Sequence, residues 1–437
     1  MKDRLSTKLL MTLVGIKESN MTGQKQIHRI FIAGMLCLVT QHALGAGFYI
    51  SEVGTPGSLG TAGVANPVNT FTADSAWTNP AGMTGLQEDQ ALSGVTLLFP
   101  KVEFEASVAE AGGSNGGNAG GIAGIPSLFY VKKMSDRTRL GFSVVAPLGG
   151  AADFGRDFAG RYGAYELALA GVSFSPSFAY KVNDKFSVGV GISIVYTLLE
   201  QEIAINRDPF PDDGYLMLEE LDDWGYQPFF GITYEINDRN FIGLVYRAEA
   251  DTDLEGDMRF ENMPLLSSTV NSIEVSWDNP QWLEVGFRHT LDNGLVVTLN
   301  AGWQEWSAFS ENQFVIDTSL LATNPTVIVN RNFDDTWHAG IAFGHIGEGN
   351  LWTVGFSYDS SPVEDEYRTI DLAFDEQYKF SGSYGWRKSD KLAFSLGATL
   401  AYLGKGKIDD DPQGVRFAGE FDNNYLLMVG GTVQYTF

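Results

Sequence analysis

From Tyr425 to Phe437 the chain alternates with period two. Tyr425, Leu427, Val429, Gly431, Val433, Tyr435 and Phe437 share one side, while Asn424, Gly430, Thr432, Gln434 and Thr436 fall mostly on the other. Successive side chains of a β-strand point to opposite faces, so one apolar stripe of this kind fits an apolar environment on one side only. About twelve steps of ~3.3 Å, tilted by about 40°, cover roughly 30 Å, the hydrocarbon thickness of a bilayer. Aromatic rings stand at both ends of the stripe, where lipid tails give way to headgroups. The segment reads as a transmembrane strand.

The same pattern recurs upstream. Phe186, Val188, Val190, Ile192, Ile194 and Tyr196 oppose Ser187, Gly189, Gly191 and Ser193, and Trp352, Val354, Phe356 and Tyr358 oppose Thr353, Gly355 and Ser357. Tyr378, Phe380, Tyr384 and Trp386 oppose Lys379, Ser381, Ser383 and Arg387, and Leu392 to Tyr402 repeats the scheme. The inner stripe of a soluble sandwich looks similar, but its ends are not so regularly capped by Tyr, Trp and Phe. No stretch after the first 45 residues is apolar for the ~18 residues a spanning helix needs. A mean hydropathy of only -0.07 is no objection to a barrel, because alternation hides its hydrophobicity from any averaging window.

Connections carry the next inference. Tight polar turns at Ser135-Asp136, Asn183-Asp184, Asn237-Asp238, Asp292-Asn293-Gly294, Gly347 to Asn350 and Ser389-Asp390 take turns with long segments near 109–124, 149–165, 203–224, 252–273, 307–332, 359–376 and 403–423. Short and long ends in strict succession fit an outer-membrane barrel with turns in the periplasm and loops outside. The expected fold is all-β: a transmembrane antiparallel β-barrel of about fourteen strands over 89–437, an even number that puts both chain ends on the periplasmic side.

Residues 1–45 read as a signal peptide. Lys25, His28 and Arg29 precede the apolar run Ile30 to Val39, and Ala43 and Gly45 are small residues before Ala46; Met21 is an alternative initiator. The single cysteine, Cys37, lies in that leader, so the mature chain has no disulfide and no thiol chemistry. Removing residues 1–45 takes away six basic and two acidic side chains, so the formal net charge of -25 falls to -29. Nucleic acid is no partner for such a surface. Acidic runs such as Glu219 to Asp223 and Asp409 to Asp411 fall between strands, as solvated loops or, alternatively, as sites for a divalent-cation bridge to anionic surface lipid.

Residues 46–88 lack alternation and are rich in Gly, Ala, Thr, Asn and Ser, which suits a disordered tail. They also carry Phe48, Tyr49, Ile50, Phe71, Trp77, Met83 and Leu86, enough apolar side chains to pack somewhere. A lumen of about fourteen strands must be filled or left open, so a compact amino-terminal hatch inside the barrel is the expectation.

Ala46-Gly47-Phe48, Asn79-Pro80-Ala81, the run Phe154 to Tyr162 (FGRDFAGRY) and Asp359-Ser360-Ser361-Pro362 followed by Arg368 resemble, in order and spacing, the FadL/TodX family of outer-membrane transporters for long-chain fatty acids and other hydrophobic compounds. The resemblance runs over nearly the whole mature chain. It implies a fourteen-stranded barrel, an amino-terminal hatch, and passage of substrate sideways through the wall. It makes Phe48 the hatch residue that reaches an internal pocket, Ala46 and Gly47 its gating neighbours, and Asn79 and Pro80 a structural turn. It also associates the wall opening with a kinked third strand, in which Gly141 matches a glycine.

The residues give that route a physical reason. An alkyl chain gains about 0.8 kcal/mol for each CH₂ kept out of water, so a greasy tunnel opening into lipid serves it better than an aqueous pore. Strand three alternates from Arg139 to Ala146 and then meets Pro147-Leu148-Gly149-Gly150. Pro removes a ladder donor, so this position is either a kink or the end of the strand, and Gly141, Pro147, Gly149 and Gly150 are the candidates for a lateral opening. Phe154, Phe158 and Tyr162 are candidates for an outer capture groove, with ordinary loop packing as the alternative; Arg156, Arg161 or Lys405 would meet a carboxylate head.

Catalysis finds no support. His289, His338 and His345 are the only histidines of the mature chain, none stands in a recognisable motif, and His/Cys metal spacing is absent. Gly189 and Gly191 are the small face of a strand rather than a phosphate loop. The expectation is an energy-independent outer-membrane uptake channel, not an enzyme and without cofactor, for fatty acids or hydrocarbons. Its other partners would be outer-membrane lipid and lipopolysaccharide, and the barrel would be a monomer. A surface adhesin or phage-receptor barrel is the competing class, and a general porin the third.

Overall fold

The computed structural model describes Glu52 and residues 55–264, 266, 271–317, 325–372 and 375–437. The leader at 1–45 and the hatch tip at Ala46, Gly47 and Phe48 lie outside the described residues.

The described chain forms β1 (Gln90–Ala109), β2 (Ala123–Lys133), β3 (Thr138–Asp153), β4 (Glu166–Lys181), β5 (Phe186–Ile205), β6 (Gly214–Asn237), β7 (Asn240–Arg247), β8 (Asp253–Glu261), β9 (Asn271–Ser276), β10 (Trp282–Thr290), β11 (Leu295–Gln304), β12 (Glu311–Asp317), β13 (Thr326–Asn330), β14 (Thr336–Ile346), β15 (Asn350–Asp359), β16 (Gln377–Arg387), β17 (Leu392–Tyr402), β18 (Ile408–Asp410) and β19 (Phe417–Thr436). Fourteen of them close an antiparallel cylinder. Its order is β1 to β7, then β10, β11, β14, β15, β16, β17 and β19, which returns to β1 with Gln90 opposite Thr436 and Ala109 opposite Phe417.

The carboxy-terminal alternation is realised as expected. Tyr425, Leu427, Val429, Val433, Tyr435 and Phe437 are exposed outward, and the intervening Leu426 and Met428 are buried inward. All six tight turns named from the sequence join adjacent barrel strands at one end. The long segments at the other end are not irregular throughout. Strands β8, β9, β12 and β13 carry the sheet on from the outer part of β6, and β18 pairs with β19. Acidic residues gave these segments the look of solvated loops, yet Leu254, Met258, Ile273 and Val275 turn inward and share one apolar cluster with Trp277 and Phe309.

The amino-terminal segment folds into four short helical turns, Pro56–Leu59, Asn66–Val68, Ser75–Thr78 and Pro80–Gly85, packed on the lumen face of the wall. Its tail-like composition conceals an internal core in which Ala73, Ala76, Trp77, Met83 and Leu86 pack with Leu92, Phe129 and Val131 of the barrel. The hatch presses so closely on the wall's backbone here that the wall carries glycine. A Cβ on Gly243 would lie 1.8 Å from the carbonyl oxygen of Pro67, and one on Gly231 would lie 2.0 Å from Asn79 Oδ1. Gly189, read as part of a strand's small face, is small for this reason: it faces Pro80 and Ala81.

Candidate functional site

The hatch is tied down by side chains that satisfy its irregular backbone, as buried carbonyls require. Asn79 is fully buried; its amide donates to the carbonyls of Pro67 at 2.6 Å and Ile232 at 3.2 Å, and its Oδ1 accepts from the Ala81 N–H at 3.1 Å. Pro80 follows at the start of a helical turn, where its missing N–H leaves no bond unmade. Three arginines on three strands add further anchors, and a guanidinium suits the task because its donors sit in a rigid planar fork. Arg139 donates from Nε and Nη2 to the Leu86 carbonyl at 2.9 and 2.5 Å. Arg288 donates to the Val68 carbonyl at 2.8 Å and lies 4.4 Å from the centre of the Phe71 ring. Arg247, with no exposed surface, donates to the Trp77 carbonyl and to Ser193 Oγ, and its guanidinium lies 4.4 Å from the Trp77 ring and 4.1 Å from that of Phe229.

The wall is interrupted between β2 and β3. Their ladder runs from Lys133 opposite Arg139 to Leu128 opposite Val144 and stops. On its other edge β2 continues against β1 to Ala123, and β3 continues against β4 to Asp153. Ala123 to Ser127 and Val145 to Ala152 therefore face each other without a ladder, below a bond from the Asp153 N–H to the Ala119 carbonyl at 3.0 Å. The physical cause lies in β3. Two residues, Ala146 and Pro147, stand opposite Val172 alone, a bulge that shifts the register between Val145 and Leu148, and neither Pro147 nor Pro126 across the gap has an N–H to give. Pro147 is thus a kink inside a continuing strand rather than its end. Gly149 and Gly150 lie beyond it, paired with Ala170 and Leu169. Gly141 lies before it, still paired with Val131 and Ser177, and faces Met83 and Ala76 of the hatch. Val145 belongs to the hatch core and Leu148 to the outer apolar cluster, so the gap sits where the two meet.

The structure brings the outer aromatic candidates together. Phe154 and Phe158 stack at 4.3 Å, and Phe158 meets Phe104 and Phe417 edge-on at 6.1 and 5.5 Å. Tyr162 joins the same cluster, and all three are buried in the core of the outer loops. Phe158→Ala should cost about 3–5 kcal/mol there, checked as faster proteolysis of the outer loops in the folded barrel. The arginine candidates are already engaged. Arg156 donates to both oxygens of Glu261 at 3.1 and 2.9 Å and lies over the Tyr215 ring, and the paired carboxylate drives its pKa further up. Arg161 donates to Asp213 at 2.7 Å and lies against the Tyr162 ring. Lys405 pairs with Glu420 at 2.8 Å.

Sequence reading missed a chain of buried polar groups inside the lumen. Lys379 Nζ on β16 lies 3.3 Å from Glu52 Oε1 of the hatch and 3.3 Å from Asp359 Oδ2 on β15. Asp359 Oδ1 is 2.8 Å from His338 Nδ1 on β14, His338 Nε2 is 2.9 Å from Asn300 Nδ2 on β11, and Asn300 donates to Glu284 on β10 at 2.5 Å. Alternation sets Lys379 on the wet face of its strand, but a ladder that pairs His338 with Asp359 is visible only once the register is known.

A closed cylinder with an apolar, aromatic-rich outer surface and a lumen filled by its own amino-terminal segment is an outer-membrane barrel of the hatch-bearing kind. Residues 36–437 match the family model described as outer membrane protein transport protein (OMPP1/FadL/TodX), and the chain belongs to that family. It is 23% identical, over 93% of its own length and 98% of the relative's, to the long-chain fatty acid transport protein of Escherichia coli O6:H1. It is 23% identical to outer membrane protein P1 of Haemophilus influenzae, over 86% of this chain and 93% of that one. Among solved structures a Pseudomonas aeruginosa FadL homologue superposes with a TM-score of 0.79 at 19% identity, covering 90% of this chain and all (100%) of that one. The Pseudomonas putida toluene transporter TodX gives 0.66 at 16% identity, over 91% and 100%. The protein is a multi-pass β-barrel of the bacterial outer membrane with a transport role, and the family it belongs to is described as one of transport proteins.

Proposed function

We propose that the barrel takes up hydrophobic molecules, with long-chain fatty acids as the favoured class, by diffusion from the outer loops to the lumen and out through the gap between β2 and β3 into the membrane. The observation that carries this reading is the interrupted ladder at Val145 to Ala152, with the buried apolar Val145 and Leu148 on its edge. An alkyl chain leaving there passes from one apolar medium to another and never meets bulk water. The named relatives that transport fatty acids support the substrate class. In this reading residues 1–45 are the leader, 46–88 the hatch, and Ala46, Gly47 and Phe48 its gating residues. Phe154, Phe158 and Tyr162 organise the capture surface, and Gly141, Pro147, Gly149 and Gly150 the lateral exit. The barrel acts as a monomer amid outer-membrane lipid and lipopolysaccharide. A hatch anchored on so many strands has no part to play in adhesion.

Deleting Pro147 removes the extra residue of the bulge and restores a ladder donor. Cells carrying the deletion should take up labelled long-chain fatty acid about tenfold more slowly or worse, because the chain then loses its dry exit at about 0.8 kcal/mol per CH₂. The barrel should still migrate as a folded species before heating. Normal uptake by a correctly folded variant would refute lateral exit.

A further inference from the structure

We infer that the barrel carries a second ligand site on its periplasmic floor. It is a pocket built around Arg288 that takes a small hydrophilic monocarboxylate of the sugar-acid class and, when filled, clamps the hatch to the wall.

Beneath the hatch, at the end of the cylinder that carries the short turns, lies a cavity of about 300 Å³. Thr70, Thr84 and Gln87 line it from the hatch, and Lys185, Ser187, Thr233 and Arg288 from the wall and its turns. Arg288 differs from the other hatch anchors in what it leaves unused. Arg139 spends the Nε–Nη2 edge of its guanidinium on the Leu86 carbonyl. Arg288 holds the Val68 carbonyl and Thr70 Oγ1 through Nη1 alone, at 2.8 and 3.1 Å. Its Nε and Nη2 meet no acceptor among the described residues, and no carboxylate there forms an ion pair with it. The rings of Phe71 and Phe241 pack against the guanidinium at 4.4 and 4.5 Å, so its in-plane edge is the part left to bind. Two parallel N–H donors on one rigid edge match the two oxygens of a carboxylate.

The other charges around the cavity narrow the class of anion. Lys181 and Asp184 satisfy each other at 3.2 Å, and Arg239 pairs with Asp292. Lys185 donates to the Ile236 carbonyl at 3.3 Å and stands as a second cation at the mouth, while Glu235 and Asp238 add negative charge to the lining. A second charge on the ligand would be repelled by those two acids, so a single carboxylate is favoured over a phosphate dianion. The hydroxyls of Thr84, Ser187, Thr233 and Thr290 suit a hydroxylated body rather than an alkyl chain. Such a ligand touches hatch and wall together and binds only while both are in place. At ten times its Kd it should therefore suppress opening of the hatch about tenfold.

The test uses the purified full-length barrel with D-glucuronate as probe and D-glucose and inorganic phosphate as comparisons, read by titration calorimetry and by hydrogen exchange across residues 66–86. The parent should bind glucuronate with a Kd of about 1 mM or tighter and prefer it to either comparison by about tenfold or more. Arg288→Lys keeps the charge without the fork and should weaken glucuronate binding about tenfold. Lys185→Glu, on an exposed turn away from the hatch anchors, should weaken it as well. Glucuronate at ten times its Kd should slow exchange in the parent about tenfold. No binding by the folded parent at about 100 mM, equal binding of glucose or phosphate, undiminished binding in either folded variant, or exchange unmoved by saturating glucuronate overturns the inference. None of these readouts involves uptake, so the function proposed above stands or falls separately.

Discussion

Gly243→Val should push the hatch off the wall and turn a sealed barrel into a conducting one. The new Cβ would lie 1.8 Å from the Pro67 carbonyl oxygen, and that oxygen is main chain, so no side-chain rotation relieves the contact. The same carbonyl accepts the Asn79 amide at 2.6 Å, so moving it also breaks the anchor at the centre of the hatch. Overpacking typically costs about 1–3 kcal/mol, and a clash with backbone belongs at the upper end or beyond. Single-channel recording in planar bilayers provides the measurement, with long-lived ion-conducting openings expected from the variant and not from the parent. Gly382→Ala is the control, because a Cβ there meets nothing nearer than 3.4 Å. A Gly243→Val barrel as electrically silent as the parent would show that the hatch does not depend on this contact.

Arg247→Met should loosen the hatch from the other side. The substitution removes hydrogen bonds from a charged donor to Trp77 and Ser193 and the contacts with the Trp77 and Phe229 rings. Charge-assisted bonds of about 1.5–3 kcal/mol each and a buried ring contact of about 2 kcal/mol put the loss near 3 kcal/mol or more, once the methionine's own packing is allowed for. Hydrogen exchange reads this as roughly a hundredfold loss of protection across residues 66–86. Lys should not restore it, since an ammonium can neither fork between two acceptors nor lie flat between rings. Protection equal to the parent's in Arg247→Met would place the anchoring energy elsewhere.

Much of the fold was legible because its two signals are local. Alternation from Tyr425 to Phe437 needs only a strand's period, and turns such as Asn183-Asp184 need only residues that favour tight reversals. The bulge at Pro147 was half legible: a missing donor can be read from one residue, whereas whether the strand resumes depends on Leu148, Gly149 and Gly150 finding partners on β4. Gly189 looked like the small face of a strand and Gly231 and Gly243 drew no reading at all, because what presses on all three lies 100 or more residues away in the chain. Arg156 and Arg161 were sensible head-group candidates on charge alone, and the acids that occupy them sit on other loops. Lys379 was hidden for the same reason. Its meaning depends on Glu52 and Asp359, which only the closed cylinder brings within 3.3 Å.

The length of β6 sets where the journey of a captured molecule begins. Its 24 residues, Gly214–Asn237, at ~3.3 Å each and a tilt of about 40°, climb roughly 60 Å, twice the thickness of the oily slab. One flank of the cylinder therefore stands as a chimney well clear of the lipid surface, its rim thickened by β8, β9, β12 and β13. On the route proposed above, a greasy solute picked up from open water at that height is lowered inside the chimney and reaches the oil from within.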